Sequence, residues 1–173
     1  MLQLILGGAR SGKSQFAERL ATDSQLDVVY IATSQPVDGE LNQRVALHRQ
    51  RRPEHWGLVE EPLALADVLR AQARAERCLL VDCLTLWLTN LLMLDDAERL
   101  AFERQALLDV LSTLPGEIIF VSNETGLGVV PLGELTRRFV DEAGLLHQAL
   151  AARCERVVFT VAGLPMLLKG PAL

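Results

Sequence analysis

The sequence predicts an α/β fold of three layers, α/β/α, in which helices cover both faces of a mainly parallel sheet. Three observations predict it. Short apolar and β-branched runs alternate with longer helical patterns along the whole chain, the rhythm of βαβ units. Runs such as "IIFV" at 118–121 and "VVFTV" at 157–161 are apolar without alternation, as suits strands buried on both faces. Polar clusters then close the strands: "GGARSGKS", "TSQ", Glu60–Glu61, Asp82 and "SNETG". In open α/β sheets ligands bind at that carboxyl edge.

The elements follow in order. "LQLIL" at 2–6 reads as a strand and "KSQFAERLAT" at 13–22 as a helix. "DVVYIAT" at 27–33 is rich in β-branched and aromatic residues, hence a strand. Residues 38–52 are helical by composition, and Pro53 stops them. "GLVEE" at 57–61 reads as a short strand, and 62–76 as a helix with proline in its first position. "CLLVD" at 78–82 is a buried strand, followed by helices over 84–94 and 96–113. "EIIFVSN" at 117–123 is a strand, 133–152 a helix and "RVVFTVAG" at 156–163 the last strand. The Gly- and Pro-rich stretch at 125–133 is a loop between strand and helix, with no composition shift to mark a domain boundary.

A chain of 173 residues fits a single domain, 1–173, with a core that needs no disulfide or structural metal. The net charge of −5 argues against a general nucleic-acid binder. Positive charge concentrates locally, at Arg44, Arg49, Arg51 and Arg52. Cys78, Cys83 and Cys154 are odd in number and form no C-x-x-C pair, so a reducing, cytoplasmic setting is expected. The N-terminus lacks the basic lead and cleavage site of a signal peptide. The apolar run at 83–94 is too short for a membrane span.

"GGARSGKS" matches G-x-x-x-x-G-K-[ST], with a strand before it and a helix after it. Glycines let the backbone curl so that successive N–H groups face phosphate oxygens, and the helix adds its positive end. The expected fold is therefore P-loop NTPase-like. Lys13 is expected on the β/γ-phosphates, and the Ser14 hydroxyl on Mg²⁺. Asp82 ends its strand where a carboxylate can hold Mg²⁺; it can equally cap the helix that follows. No N-K-x-D stretch occurs, so the guanine-reading signature of regulatory GTPases is missing. The size suits a small-molecule kinase or nucleotidyltransferase.

"RVALHRQRRPEHW", residues 44–56, sets His48 among arginines. On one helix His48 shares a face with Arg44, Val45, Arg51 and Arg52. Nearby positive charge disfavours imidazolium and leaves the neutral ring, the form that attacks phosphorus. The same arginines could neutralise a triphosphate. Spacing alone favours a solvated basic face, with His48 exposed. His55, beside Trp56, reads as a packing histidine, and His147 as a helix-surface or partly buried one. Helix 84–94 is apolar around most of its circumference, as a central core helix or a subunit interface would be.

Taken together, "GGARSGKS", "YIATSQ", "RVALHRQRRPEHW", "LLVDCLTLWLTNLL", "SNETGLGVVP" and "VAGLP" resemble the bifunctional adenosylcobinamide kinase / adenosylcobinamide-phosphate guanylyltransferase family, in order and along nearly the whole chain. "YIATSQ", the H-x-x-x-R-P-x-H-W pattern and "NETGLGVVP" together are highly specific. The resemblance implies phosphorylation of adenosylcobinamide by ATP or GTP. It then implies transfer of GMP from GTP onto that phosphate, giving adenosylcobinamide-GDP through a guanylyl-histidine at His48. It implies nucleotide contacts at Gly7, Gly8, Ala9, Arg10, Ser11, Gly12, Lys13 and Ser14. Further contacts are implied at Ala32, Thr33 and Ser34, at Arg49, Gln50, Arg51 and Arg52, and at Glu60 and Asp82. It also implies a homotrimer. Asp82 stands where relatives can have glutamate, and Leu47 where they can have a second histidine. A monofunctional kinase and a nucleotide-dependent switch are the rival classes, separated by whether His48 takes up a nucleotidyl group.

Overall fold

The computed structural model describes residues 1–34 and 53–172. Its centre is a seven-stranded sheet ordered β3-β2-β4-β5-β1-β6-β7. The strands are β1 (Leu2–Gly7), β2 (Asp27–Ala32), β3 (Gly57–Glu60), β4 (Arg77–Asp82), β5 (Glu117–Asn123), β6 (Arg156–Val161) and β7 (Leu164–Lys169). All neighbours pair in parallel except β6 and β7. The helices are α1 (Lys13–Asp23), α2 (Leu65–Gln72), α3 (Leu84–Met93), α4 (Ala97–Val110) and α5 (Glu134–Arg153).

Strand periodicity divides the core. Ile5, Val28, Tyr30, Leu80, Ile119 and Val121 face one side and pack with Phe16 and Ala17 of α1. Their neighbours Leu4, Leu6, Val29, Ile31, Leu79, Val81, Ile118 and Phe120 face the other, against Leu69, Trp87, Leu107 and Leu146 of α2 to α5. Successive side chains in a strand point to opposite faces, so continuous apolar strands need both layers. The expected three-layer, mainly parallel fold is the one observed.

Three expectations need correction. The helix expected over 62–76 is only Leu65–Gln72. Glu61 Oε1 accepts from the N–H groups of Leu63 and Ala64, both at 2.8 Å, so a side-chain-held turn precedes the helix and Pro62 lies outside it. The helix expected over 96–113 ends at Val110, and its last turn tightens into a 3₁₀ turn, Leu111–Thr113. The run at 156–163 is not the last strand. It turns at Ala162 and Gly163, with φ of 52° and 79°, and returns as β7. Positive φ at both central residues is the signature of a two-residue turn matched to strand twist. β7 carries Pro165 and lies at the sheet edge, where proline is tolerated.

α3 is covered by its own chain. Leu84, Thr85, Trp87, Leu88, Leu91 and Leu92 are all buried, so a core helix accounts for its composition. Trp87 Nε1 donates to Leu63 O at 2.7 Å. Asn90 Nδ2 donates to Thr33 O at 2.7 Å and to Pro62 O at 3.1 Å. Among the described residues no helix is long and apolar enough to cross a membrane.

Trp87→Phe keeps a buried ring but removes one of the two hydrogen bonds to the Leu63 carbonyl, which retains the Leu65 N–H at 3.0 Å. It should lower unfolding stability by about 0.5–1.5 kcal/mol, measured by urea titration. An unchanged midpoint would remove this bond from the forces that place α3.

Candidate functional site

The carboxyl edge of the sheet gathers Gly7, Ala32, Glu60, Asp82 and Asn123. Register aligns Ala32 with both Glu60 and Asp82, and Gly7 with Asn123. β5 stands between β1, which carries the phosphate loop, and β4, which ends in Asp82. Loop and carboxylate are thus two strands apart.

The loop from Gly7 to Gly12 is held on both sides. Glu124 N donates to Gly7 O at 3.1 Å, and Gly163 N to Ser11 O at 2.8 Å. A Cβ on Gly7 would collide with Ser11 and lie 2.7 Å from Thr160 O. Gly12, with φ of 95°, would bring one to 3.0 Å from Gly163 Cα. Arg10 also has positive φ, at 56°. Gly12 caps α1 with no side-chain hydrogen bond, and the first N–H groups of a helix make an anion site when they lack side-chain partners. Lys13 is buried and folds back, Nζ to Gly8 O at 3.2 Å. Ser11 Oγ and Thr160 Oγ1 are buried without hydrogen-bond partners. The expected loop residues Gly7, Gly8, Ala9, Arg10, Ser11, Gly12, Lys13 and Ser14 form this one structure, with the Ser14 side chain half-buried at the head of α1.

Thr33 is fully buried. Its hydroxyl donates to Cys83 O at 2.7 Å and accepts from Cys83 N at 3.0 Å, so its side chain ties the end of β2 to the residue after Asp82. Ala32 is buried, Ser34 and Asp82 half-buried, and Glu60 exposed on β3. Burial, and then the Asp82 carboxylate, push the Cys83 thiol up to about 11, so this cysteine stays protonated and chemically quiet at the edge. Among the described residues no group of three or more His, Cys, Asp or Glu could hold a metal ion.

His48, Arg49, Gln50, Arg51 and Arg52, with the rest of the helix expected at 38–52, lie outside the described residues. His55 is exposed, not packed; its neighbour Trp56 fills that role against the α1-side core. His147 is buried on α5, with Nε2 2.7 Å from Ser122 Oγ. Sequence reasoning quoted "SNETG" but did not single out Glu124, whose backbone reaches Gly7. It also missed Thr160 and Gly163. Their tie to the loop depends on a hairpin that residue spacing did not reveal.

The family model described as cobinamide kinase / cobinamide phosphate guanyltransferase matches residues 3–168. The chain is similar to the bifunctional adenosylcobalamin biosynthesis protein CobP of Pseudomonas aeruginosa, 71% identical over 173 residues that cover 100% of both chains. It is 39% identical to the corresponding protein CobU of Escherichia coli, covering 98% of this chain and 100% of the other. Among solved structures, the RadB recombinase superposes with a TM-score of 0.54 at 18% identity, over 91% of this chain and 73% of that one. That likeness concerns the fold alone and agrees with a P-loop α/β architecture.

Thr33→Val leaves the Cys83 N–H without its buried partner and the Cys83 carbonyl with the Trp87 N–H alone, at 3.2 Å. It should cost about 1–3 kcal/mol of stability, read by denaturant titration. A midpoint equal to that of the unaltered protein would show that the Thr33 hydroxyl does not brace the edge.

Proposed function

The chain belongs to the cobinamide kinase / cobinamide phosphate guanyltransferase family, and we propose that it carries out both reactions in one domain, 1–173, at the carboxyl edge of its sheet. The phosphate loop, clamped beside β5 and two strands from Asp82, carries this reading. In the kinase reaction the loop amides and Lys13 hold the β- and γ-phosphates of ATP or GTP. The hydroxyl of adenosylcobinamide attacks the terminal phosphorus, and the nucleoside diphosphate leaves. Lys13 must give up Gly8 O for the phosphates, exchanging a neutral hydrogen bond for a charge-assisted one.

In the second reaction His48 attacks the α-phosphorus of GTP and pyrophosphate leaves. The phosphate of adenosylcobinamide-phosphate then displaces the histidine, giving adenosylcobinamide-GDP. What supports His48 is the pattern "RVALHRQRRPEHW" together with the family assignment. Arg49, Gln50, Arg51 and Arg52 would line the same nucleotide, with Arg49, Arg51 and Arg52 offsetting charge on the triphosphate. Ala32, Thr33, Ser34 and Glu60 would meet its nucleoside end. Thr33 would do so through its backbone, because its hydroxyl is already engaged with Cys83.

The Ser14 hydroxyl and the Asp82 carboxylate are hard oxygen donors, a set that fits Mg²⁺ shared with phosphate oxygens. Such an ion would supply charge neutralisation at the phosphates. The same family resemblance supports a cytoplasmic homotrimer.

Lys13→Ala should slow both reactions by about 10²-fold or more, in steady-state assays of each. If histidine guanylylation survived with unchanged GTP affinity, a second nucleotide site would be required.

His48→Ala should abolish protein labelling by GTP radiolabelled at the α-phosphate and leave phosphorylation largely intact. Covalent transfer needs the imidazole; phosphorylation of a hydroxyl does not. The label on the unaltered protein should be lost in acid and survive base, as a phosphoramidate does. Acid-labile labelling of the variant would move the nucleophile to another histidine.

A further inference from the structure

Three polar side chains meet where β5 ends, beside the first glycine of the phosphate loop. Ser122 Oγ lies 2.7 Å from His147 Nε2, and Glu124 Oε2 lies 3.6 Å from His147 Nδ1. Glu124 Oε1 accepts from Gly126 N at 2.5 Å. The set resembles a nucleophilic triad in composition only. Ser122 is 1% exposed, so its hydroxyl cannot meet a substrate.

The chain of contacts runs the other way, toward Glu124. Burial lowers the His147 pKa, an effect the Glu124 carboxylate offsets in part, and this favours the neutral ring. Nδ1 faces the Glu124 carboxylate, an acceptor, so the tautomer that suits both neighbours carries its proton on Nδ1 and takes the Ser122 hydroxyl as donor to Nε2. The Glu124 side chain is 22% exposed against 8% for His147. One carboxylate oxygen is therefore fixed by a backbone N–H, the other faces a buried donor, and the group opens outward.

Position along the sheet separates this carboxylate from the others at the edge. Glu60 ends β3, four strands from β1; Asp82 ends β4, two strands away; Glu124 follows β5, the immediate neighbour. Its own N–H is bonded to Gly7 O. Among the described strand-end carboxylates, Glu124 alone is tied directly to the phosphate loop.

We propose that Glu124 is a catalytic residue of the phosphorylation reaction, accepting the proton of the acceptor hydroxyl, and that His147 is its positioning residue. This rests on the two-reaction reading above. As the hydroxyl oxygen bonds to the terminal phosphorus, the bond from that phosphorus to the bridging oxygen breaks. The nucleoside diphosphate departs with the electron pair, and the hydroxyl proton passes to Glu124 and on to water. The second reaction needs no such base, because the attacking phosphate oxygen is already ionised.

The test compares full-length wild type, Glu124→Gln, His147→Gln and the double variant. Glu124→Gln should lower kcat for adenosylcobinamide phosphorylation by about 10²-fold. Nucleotide affinity, thermal unfolding and labelling by α-radiolabelled GTP should be unchanged. Glu124→Asp should restore part of the kcat. His147→Gln should lower kcat less, and should add nothing in the Glu124→Gln background, as expected for residues acting through one another. Unchanged kcat in Glu124→Gln, or labelling that falls in parallel with kcat, would overturn the role of Glu124. Losses that multiply in the double variant would overturn that of His147. A wild type inactive in both assays would overturn the two-reaction reading and this inference with it; an active wild type matched by Glu124→Gln would overturn the inference alone.

Discussion

Gly7 and Gly12 come so close to neighbouring chain that a single methyl group at either position would press on β6 or on the turn that follows it. Only glycine lets the phosphate loop curl this close to its neighbours. Its carbonyls at Gly7 and Ser11 are taken by amides from the residue after β5 and from the β6–β7 turn, so the loop is fastened to the segments that follow both neighbours of β1. A loop fastened in this way presents its remaining amides in a fixed array, and ligand binding need not order the backbone first. Lys13, Asp82 and Glu124 have meaning only relative to that array.

The other half of the edge depends on a polar brace within an apolar core. Thr33 links β2 to the residue after Asp82 through two hydrogen bonds, and Asn90 reaches from α3 to the carbonyls of Thr33 and Pro62. Trp87, on the same helix, takes the carbonyl of Leu63. Each of these buried groups is satisfied by a partner from a different element. Asp82 is thereby held at a defined height beside Ala32.

Much of this was legible in the sequence. Alternation of apolar runs and helical patterns gave the layers, and "GGARSGKS" between strand and helix gave the loop, because both are short-range patterns. Asp82 was legible because it ends an apolar run. The β6–β7 hairpin was not: "LPMLLK" shows no alternation, and Pro165 argues for a strand only once an edge is known. Thr33 looked like a binding residue on its position, yet its hydroxyl serves a backbone 50 positions away. The pairing of Glu124 with His147 escaped notice for the same reason. Their meeting depends on how α5 lies against β5, which no local spacing encodes. His55 was misjudged because the apolar neighbour that packs is Trp56 itself.

The placement of β1 has a consequence for how the molecule is made. It precedes the other strands of the sheet in sequence, but its partners are β5 and β6, whose registers join Leu2 to Ile118 and Gln3 to Arg156. Pairings so distant in sequence close late. The second clamp on the loop waits for Gly163, which follows β6 in the last hairpin of the sheet. The phosphate loop therefore precedes the rest of the sheet in sequence and is the last part of it to gain its shape, and a chain lacking the final hairpin would carry its motif intact with one of its two clamps missing.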